Sequence, residues 1–105
     1  IGIDFNSITG AAYSLVVHST EEVLFYNRNS SKTAAGISLY KGNYTIAISS
    51  ELTFENFGYT FAFTKGSTDY SITSCVCDHK IVAVNCTNLY SGSTPPANIA
   101  DWFRV

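Results

Sequence analysis

The chain has no methionine, and charged residues make up only 13% of it. Ordinary soluble domains carry about 25%. The six basic residues (Arg28, Lys32, Lys41, Lys65, Lys80 and Arg104) stand singly, and the formal net charge is −2. Nucleic-acid affinity comes mainly from clustered Lys and Arg, so this chain has no footprint for a phosphate backbone. It has no apolar run of about 18 residues, which excludes a membrane-spanning helix. Strands of about ten residues recur too rarely for a spanning barrel. No convincing helix of ten or more residues is found, and no motif presents a nucleophile. A chain that opens on Ile1 without methionine is what removal of a leader or trimming leaves, and a cleaved signal peptide is the commoner cause. The expectation is a secreted or cell-surface protein.

The three cysteines, Cys75, Cys77 and Cys86, leave at least one thiol unpaired. With residues 70–77 and 81–86 read as the two arms of a hairpin, every pairing is at or beyond disulfide reach. The cysteines are therefore expected to be free, mostly buried thiols that pack as small hydrophobes. Free thiols also suit a reducing, cytoplasmic compartment. Three Asn-x-Ser/Thr triplets begin at Asn29, Asn43 and Asn85 and would be glycosylated in a eukaryotic secreted protein, although a chain this rich in Asn, Ser and Thr produces such triplets by chance. Cys75-x-Cys77-x-His79 lacks the spacing of structural zinc, and i, i+2 ligands splay on a flat strand. No metal or other cofactor is expected.

What is present is alternation. In Tyr44-Thr45-Ile46-Ala47-Ile48 and again in Tyr59-Thr60-Phe61-Ala62-Phe63, large apolar residues recur every second position. This is the mark of strands with one buried face. Turn-forming clusters recur every eight to twelve residues, and eight to ten short strands follow. The pattern predicts one domain over residues 1–105, all-β, as a two-layer antiparallel β-sandwich of jelly-roll or immunoglobulin-like topology. Residues 37–48 are expected to form a hairpin through Lys41-Gly42-Asn43. Further turns fall at residues 6–10 and 65–69. The expected core takes Tyr13, Leu15, Val17, Phe25, Ile37, Leu39, Ile46, Ile48, Phe61, Phe63, Ile72, Val82 and Val84. Residues 87–100 read as irregular, residues 98–103 are compatible with a single helical turn, and residues 102–105 with a last edge strand. No internal repeat is read from the sequence.

Neither histidine carries an evident mechanism. His18 lies beside Ser19 and His79 beside Asp78, and the carboxylates Glu21, Glu22, Glu51 and Glu55 have no cleft to flank. The chain is therefore read as non-enzymatic. Aromatic residues make up 14%, with seven tyrosines. Several fall near Asn and Gly, where a flat apolar ring and polar handles meet the needs of a sugar. Tyr40, Asn43, Asn56, Tyr59, Asn88, Tyr90 and Trp102 are the candidate ligand-binding residues. The expected function is lectin-like binding of a glycan or cell-surface glycoprotein. The alternative is a secreted toxin or effector, or an adhesion domain working through a protein surface. The runs Val23–Tyr26 and Ile81–Val84 are apolar on both sides, and one side of each needs cover, which points to a homodimer.

Overall fold

The structure is a computed structural model and describes residues 3–5, 12–40, 42–63, 70–92 and 95–104. It contains ten strands: β1 (Ile3–Phe5), β2 (Ala12–Val17), β3 (Val23–Tyr26), β4 (Ala35–Leu39), β5 (Gly42–Ile48), β6 (Leu52–Glu55), β7 (Tyr59–Phe63), β8 (Tyr70–Val76), β9 (Ile81–Val84) and β10 (Tyr90–Ser91). Consecutive strands do not pair. Each pairs, in parallel, with the strand three places along the chain, and the three sheets run β1-β4-β7-β10, β2-β5-β8 and β3-β6-β9. The chain therefore winds as a three-sided parallel coil, one strand per side per turn.

This overturns the antiparallel sandwich. The supposed hairpin of residues 37–48 is a corner: Ile37 pairs with Ile3 and Phe61, while Tyr44 pairs with Tyr13 and Ile72. The supposed cysteine hairpin is another corner, since β8 lies on β5 and β9 on β6. Period-two alternation reports one buried face and is silent on the direction or identity of the neighbour. Parallel sheets usually bury both faces under crossover helices. Here the connection runs around the coil instead of over the sheet, so the outer face stays open to solvent and the alternation in burial survives.

The chain does contain an internal repeat. Val23-Leu24-Phe25-Tyr26-Asn27, Leu52-Thr53-Phe54-Glu55-Asn56 and Ile81-Val82-Ala83-Val84-Asn85 lie directly above one another, and their asparagines are 29 residues apart. Each segment ends in asparagine because the corner turns there. Asn56 and Asn85 have φ of 70° and 54°, a left-handed conformation that asparagine tolerates better than most residues. Gly42, at φ 140°, makes a bend at the start of β5.

The inward residues stack into columns. Tyr13 lies flat on Tyr44 at 5.3 Å between ring centroids, and Phe25 meets Phe54 edge-on at 5.2 Å. Tyr44, Ile46, Ile48, Phe54, Phe61 and Phe63 are fully buried, each full burial contributing on the order of 1.5–3 kcal/mol. On β9 the expected facing is reversed. Ile81 and Ala83 stand in register with inward Leu52 and Phe54, whereas Val82 and Val84 share the outer face with Thr53 and Glu55. In the fourth turn no strand lies below β8 among the described residues. The chain forms a 3-10 turn, Ile99–Trp102, and Phe103 then pairs with Ile81. Residues 102–104 are thus a single bridge after a helical turn, not a full edge strand. Cys77 is buried, and Cys86 is a half-buried thiol bonded to the Phe54 carbonyl. The Cys75 side chain and the turns at 6–10 and 65–69 lie outside the described residues.

Candidate functional site

Among the described residues, the corner following the third sheet brings expected residues together. Three layers of chain meet there. Gly58 N–H donates to the Ala34 carbonyl (2.9 Å), Asn88 N–H to the Gly58 carbonyl (2.9 Å) and Thr87 N–H to the Phe57 carbonyl (3.1 Å). Below them, the Thr60 N–H and hydroxyl both donate to the Leu89 carbonyl. The corner encloses a pocket of about 310 Å³, lined by Ser31, Lys32, Thr33, Gly58, Tyr59, Thr87 and Asn88. That lies at the small end of ligand-pocket sizes.

Backbone economy makes room for it. A Cβ on Gly58 would lie 2.8 Å from the Lys32 carbonyl oxygen, so only glycine lets the two layers approach this closely. The asparagine column holds the corner in shape. Asn56 Nδ2 donates to the Asn27 carbonyl at 2.8 Å, Asn27 Nδ2 to the Asn56 carbonyl at 3.1 Å, and Asn85 Nδ2 to Asn56 Oδ1 at 3.2 Å. Lys32 Nζ donates to Asn85 Oδ1 at 3.2 Å, which ties the pocket's only charged lining residue to that column.

Of the seven expected residues, Tyr59 and Asn88 meet in this pocket. Asn56 stands at the same corner but spends its side chain on the column. Tyr40 and Asn43 flank a different corner, and Asn43 Oδ1 accepts a bond from the Ser71 hydroxyl on the outer face of the second sheet. Tyr90 is half-buried and edge-on to Phe63. Trp102 is in the core, 1% exposed, against Phe61 and Phe63. Its buried indole N–H has no hydrogen-bond partner among the described residues. Sequence reading missed Ser31, Lys32, Thr33, Gly58 and Thr87. The 29-residue repeat is a signal for Gly58 and Thr87, since it sets Gly58 over Thr87 and Tyr59 over Asn88, but it does not reach Ser31, Lys32 and Thr33, because Ala35 faces Tyr59 only 24 residues on.

Two histidine contacts complete the inventory. His18 Nδ1 lies 2.8 Å from Ser49 Oγ, and that hydroxyl also contacts the Val17 carbonyl at 3.3 Å. Both side chains are exposed on an open corner, where nothing fixes a substrate or excludes water. His79 Nδ1 donates to the Phe103 carbonyl at 2.8 Å, a bond that fastens the corner after β8 to the last bridge. Among the described residues no three His, Cys, Asp or Glu side chains are grouped to hold a metal, and no helix is long and apolar enough to cross a membrane. No family model matches this chain, and no curated protein or solved structure is similar to it.

Proposed function

We propose that the chain is a non-enzymatic carbohydrate-binding protein that takes one sugar unit at the corner formed by residues 31–33, 58–59 and 87–88. The observation that carries this reading is the pocket's lining: one tyrosine ring, one primary amide and three hydroxyls. A pyranose has apolar C–H faces and hydroxyl edges. A tyrosine ring covers the first, and Asn88, Ser31, Thr33 and Thr87 donate to and accept from the second. Among the described residues no carboxylate, histidine or thiol lines the pocket, and a lining of hydroxyls, an amide and a ring, without the paired acids of glycoside hydrolysis, supports binding. The expected ligand is a glycan outside the cell or on a cell-surface glycoprotein.

A broad glycan array tests the reading. Binding should appear on a restricted set of glycans, compete with the free sugar, and fall at least tenfold in Tyr59→Ala and Asn88→Ala. Silence on the array with an intact β spectrum would remove it. One observation favours the adhesion alternative. Leu24, Tyr26 and Val84, at 51%, 56% and 41% exposed, share the outer face of the third sheet. A protein partner there would be lost in Val84→Asp, with sugar binding unchanged.

A further inference from the structure

Lys32 is the pocket residue that a neutral sugar leaves unused. It is half-buried and lines the cavity. Its ammonium carries three donors. One goes to Asn85 Oδ1 at 3.2 Å, an uncharged partner, and two remain. The ammonium is thus held without being neutralised, whereas Arg104 is paired with the Glu51 carboxylate. The backbone at Lys32 is left-handed, with φ 52°. Glycine and asparagine take that conformation more readily than lysine. Conformation therefore does not select lysine there, and the charge is what the side chain adds. On either side of it, the Ser31 and Thr33 hydroxyls lie 3.3 Å apart. One of their two protons is spent between them, and the other is left to donate.

The charge around the site has one sign. The loops of this corner, residues 27–34, 56–58 and 85–89, hold Arg28 and Lys32 and no aspartate or glutamate. The opposite border of the third sheet, residues 18–22, 49–51 and 77–80, holds Glu21, Glu22, Glu51 and Asp78 against Lys80. The chain as a whole carries a formal charge of −2, so the positive corner runs against its balance. A cleft lined by one sign of charge concentrates ligands of the other. We propose that the pocket selects an acidic sugar, one whose ring carries a carboxylate or a sulfate ester. This rests on the sugar reading above and adds the ligand's charge to it. The anionic group accepts from Lys32 Nζ and from the free hydroxyl of the Ser31–Thr33 pair, while the ring lies on Tyr59. Hydrogen bonds between ionised partners are about twice as strong as neutral ones. Among the described lining residues no carboxylate competes for the ammonium.

A glycan array printed in matched pairs tests the proposal on the unmodified chain. Each carboxylated or sulfated glycan stands beside its neutral counterpart, with the carboxylate reduced to a hydroxymethyl group or the sulfate removed. The acidic member should bind about tenfold more tightly, and about 1 M NaCl should remove most of that margin. A margin confined to the carboxylated pairs assigns a uronic or sialic acid, and one confined to the sulfated pairs a sulfated sugar. Lys32→Gln should bring the acidic-to-neutral ratio close to one, and Lys32→Arg should keep it. The ratio is indifferent to how much of a variant folds, because both members meet the same protein. Equal binding of the two members by the unmodified chain overturns the acidic preference and leaves the sugar site standing. A margin that survives Lys32→Gln overturns the role of Lys32. Silence on every pair, with the β spectrum intact, removes the sugar site and the acidic preference together.

Discussion

The third sheet and the second sheet of this coil obey different rules. In the third, β3, β6 and β9 are spaced 29 residues apart throughout, with no register shift. In the second, facing residues are 31 apart between the first two turns, and between the next two they are 28 apart up to Tyr44 and 29 apart from Thr45, where the β5–β8 register slips. The regular sheet ends in the asparagine column and the pocket. The irregular one absorbs changes in turn length through a bulge and exposed loops. At the pocket the 29-residue spacing continues only between the second and third layers, since Ala35 faces Tyr59 just 24 residues on; what the corner requires is a fixed register of Gly58 with Ala34 and Asn88, because one residue of slip reverses every side chain. A sheet that only closes the core tolerates variation.

The largest expected effect lies in the regular sheet. Phe54 is 0% exposed and contacts the rings of Phe25, Phe57 and Phe61. Phe54→Ala should cost about 3–5 kcal/mol in denaturant unfolding. A Cβ on Gly36 would overlap the Phe54 ring and lie 2.8 Å from the Thr60 carbonyl oxygen, so Gly36→Ala should be destabilising alone and cost less, though still something, beside Phe54→Ala. Additive costs would show that the two do not share a space.

The asparagine column comes next. Asn56 makes or receives side-chain bonds to Asn27 and Asn85 while holding a positive φ. Asn56→Ala loses both features and should cost about 2–4 kcal/mol. Asn56→Gly keeps the bend and loses only the bonds, so it should cost about 1 kcal/mol less. Equal costs, read by the same unfolding curves, would mean that the bend contributes nothing.

The same contrast explains what was legible in the sequence. The alternation at Tyr44–Ile48 and Tyr59–Phe63 marks inward residues, and the structure buries Tyr44, Ile46, Ile48, Phe61 and Phe63. Pairing was not legible, because a strand bounded by turn residues looks the same whether its neighbour is the next strand or the third one on. The repeat was available in Asn27, Asn56 and Asn85. It was hidden because the segments share only hydrophobicity and a final asparagine, and because the first and second sheets break the period. Val82 and Val84 were assigned inward since all four β9 residues are apolar, and only the register with Leu52 and Phe54 fixes the facing. Of the site, Tyr59 and Asn88 were legible by residue type. The hydroxyls around them were not, because they come from three turns of the coil.

The smallest stability effects belong to the outer corners. The Arg104 guanidinium meets the Glu51 carboxylate with side chains 57% and 33% exposed. Such a solvent-screened pair contributes about 0–1 kcal/mol, so Arg104→Ala should shift the midpoint barely, and less at high salt.

Loop length sharpens the comparison further. One glycine inserted between Glu21 and Glu22 extends an exposed connection whose length already differs from its counterparts. Lengthening a loop by one residue changes closure entropy by a few tenths of a kcal/mol. The same glycine between Asn56 and Phe57 would displace Gly58 from Ala34 and Asn88, and so break two layers of the pocket corner. Unfolding midpoints and glycan binding should both be preserved in the first variant, and both reduced in the second. If the two insertions proved equally harmless, the register of Gly58 with Ala34 and Asn88 would not be what holds the binding corner together.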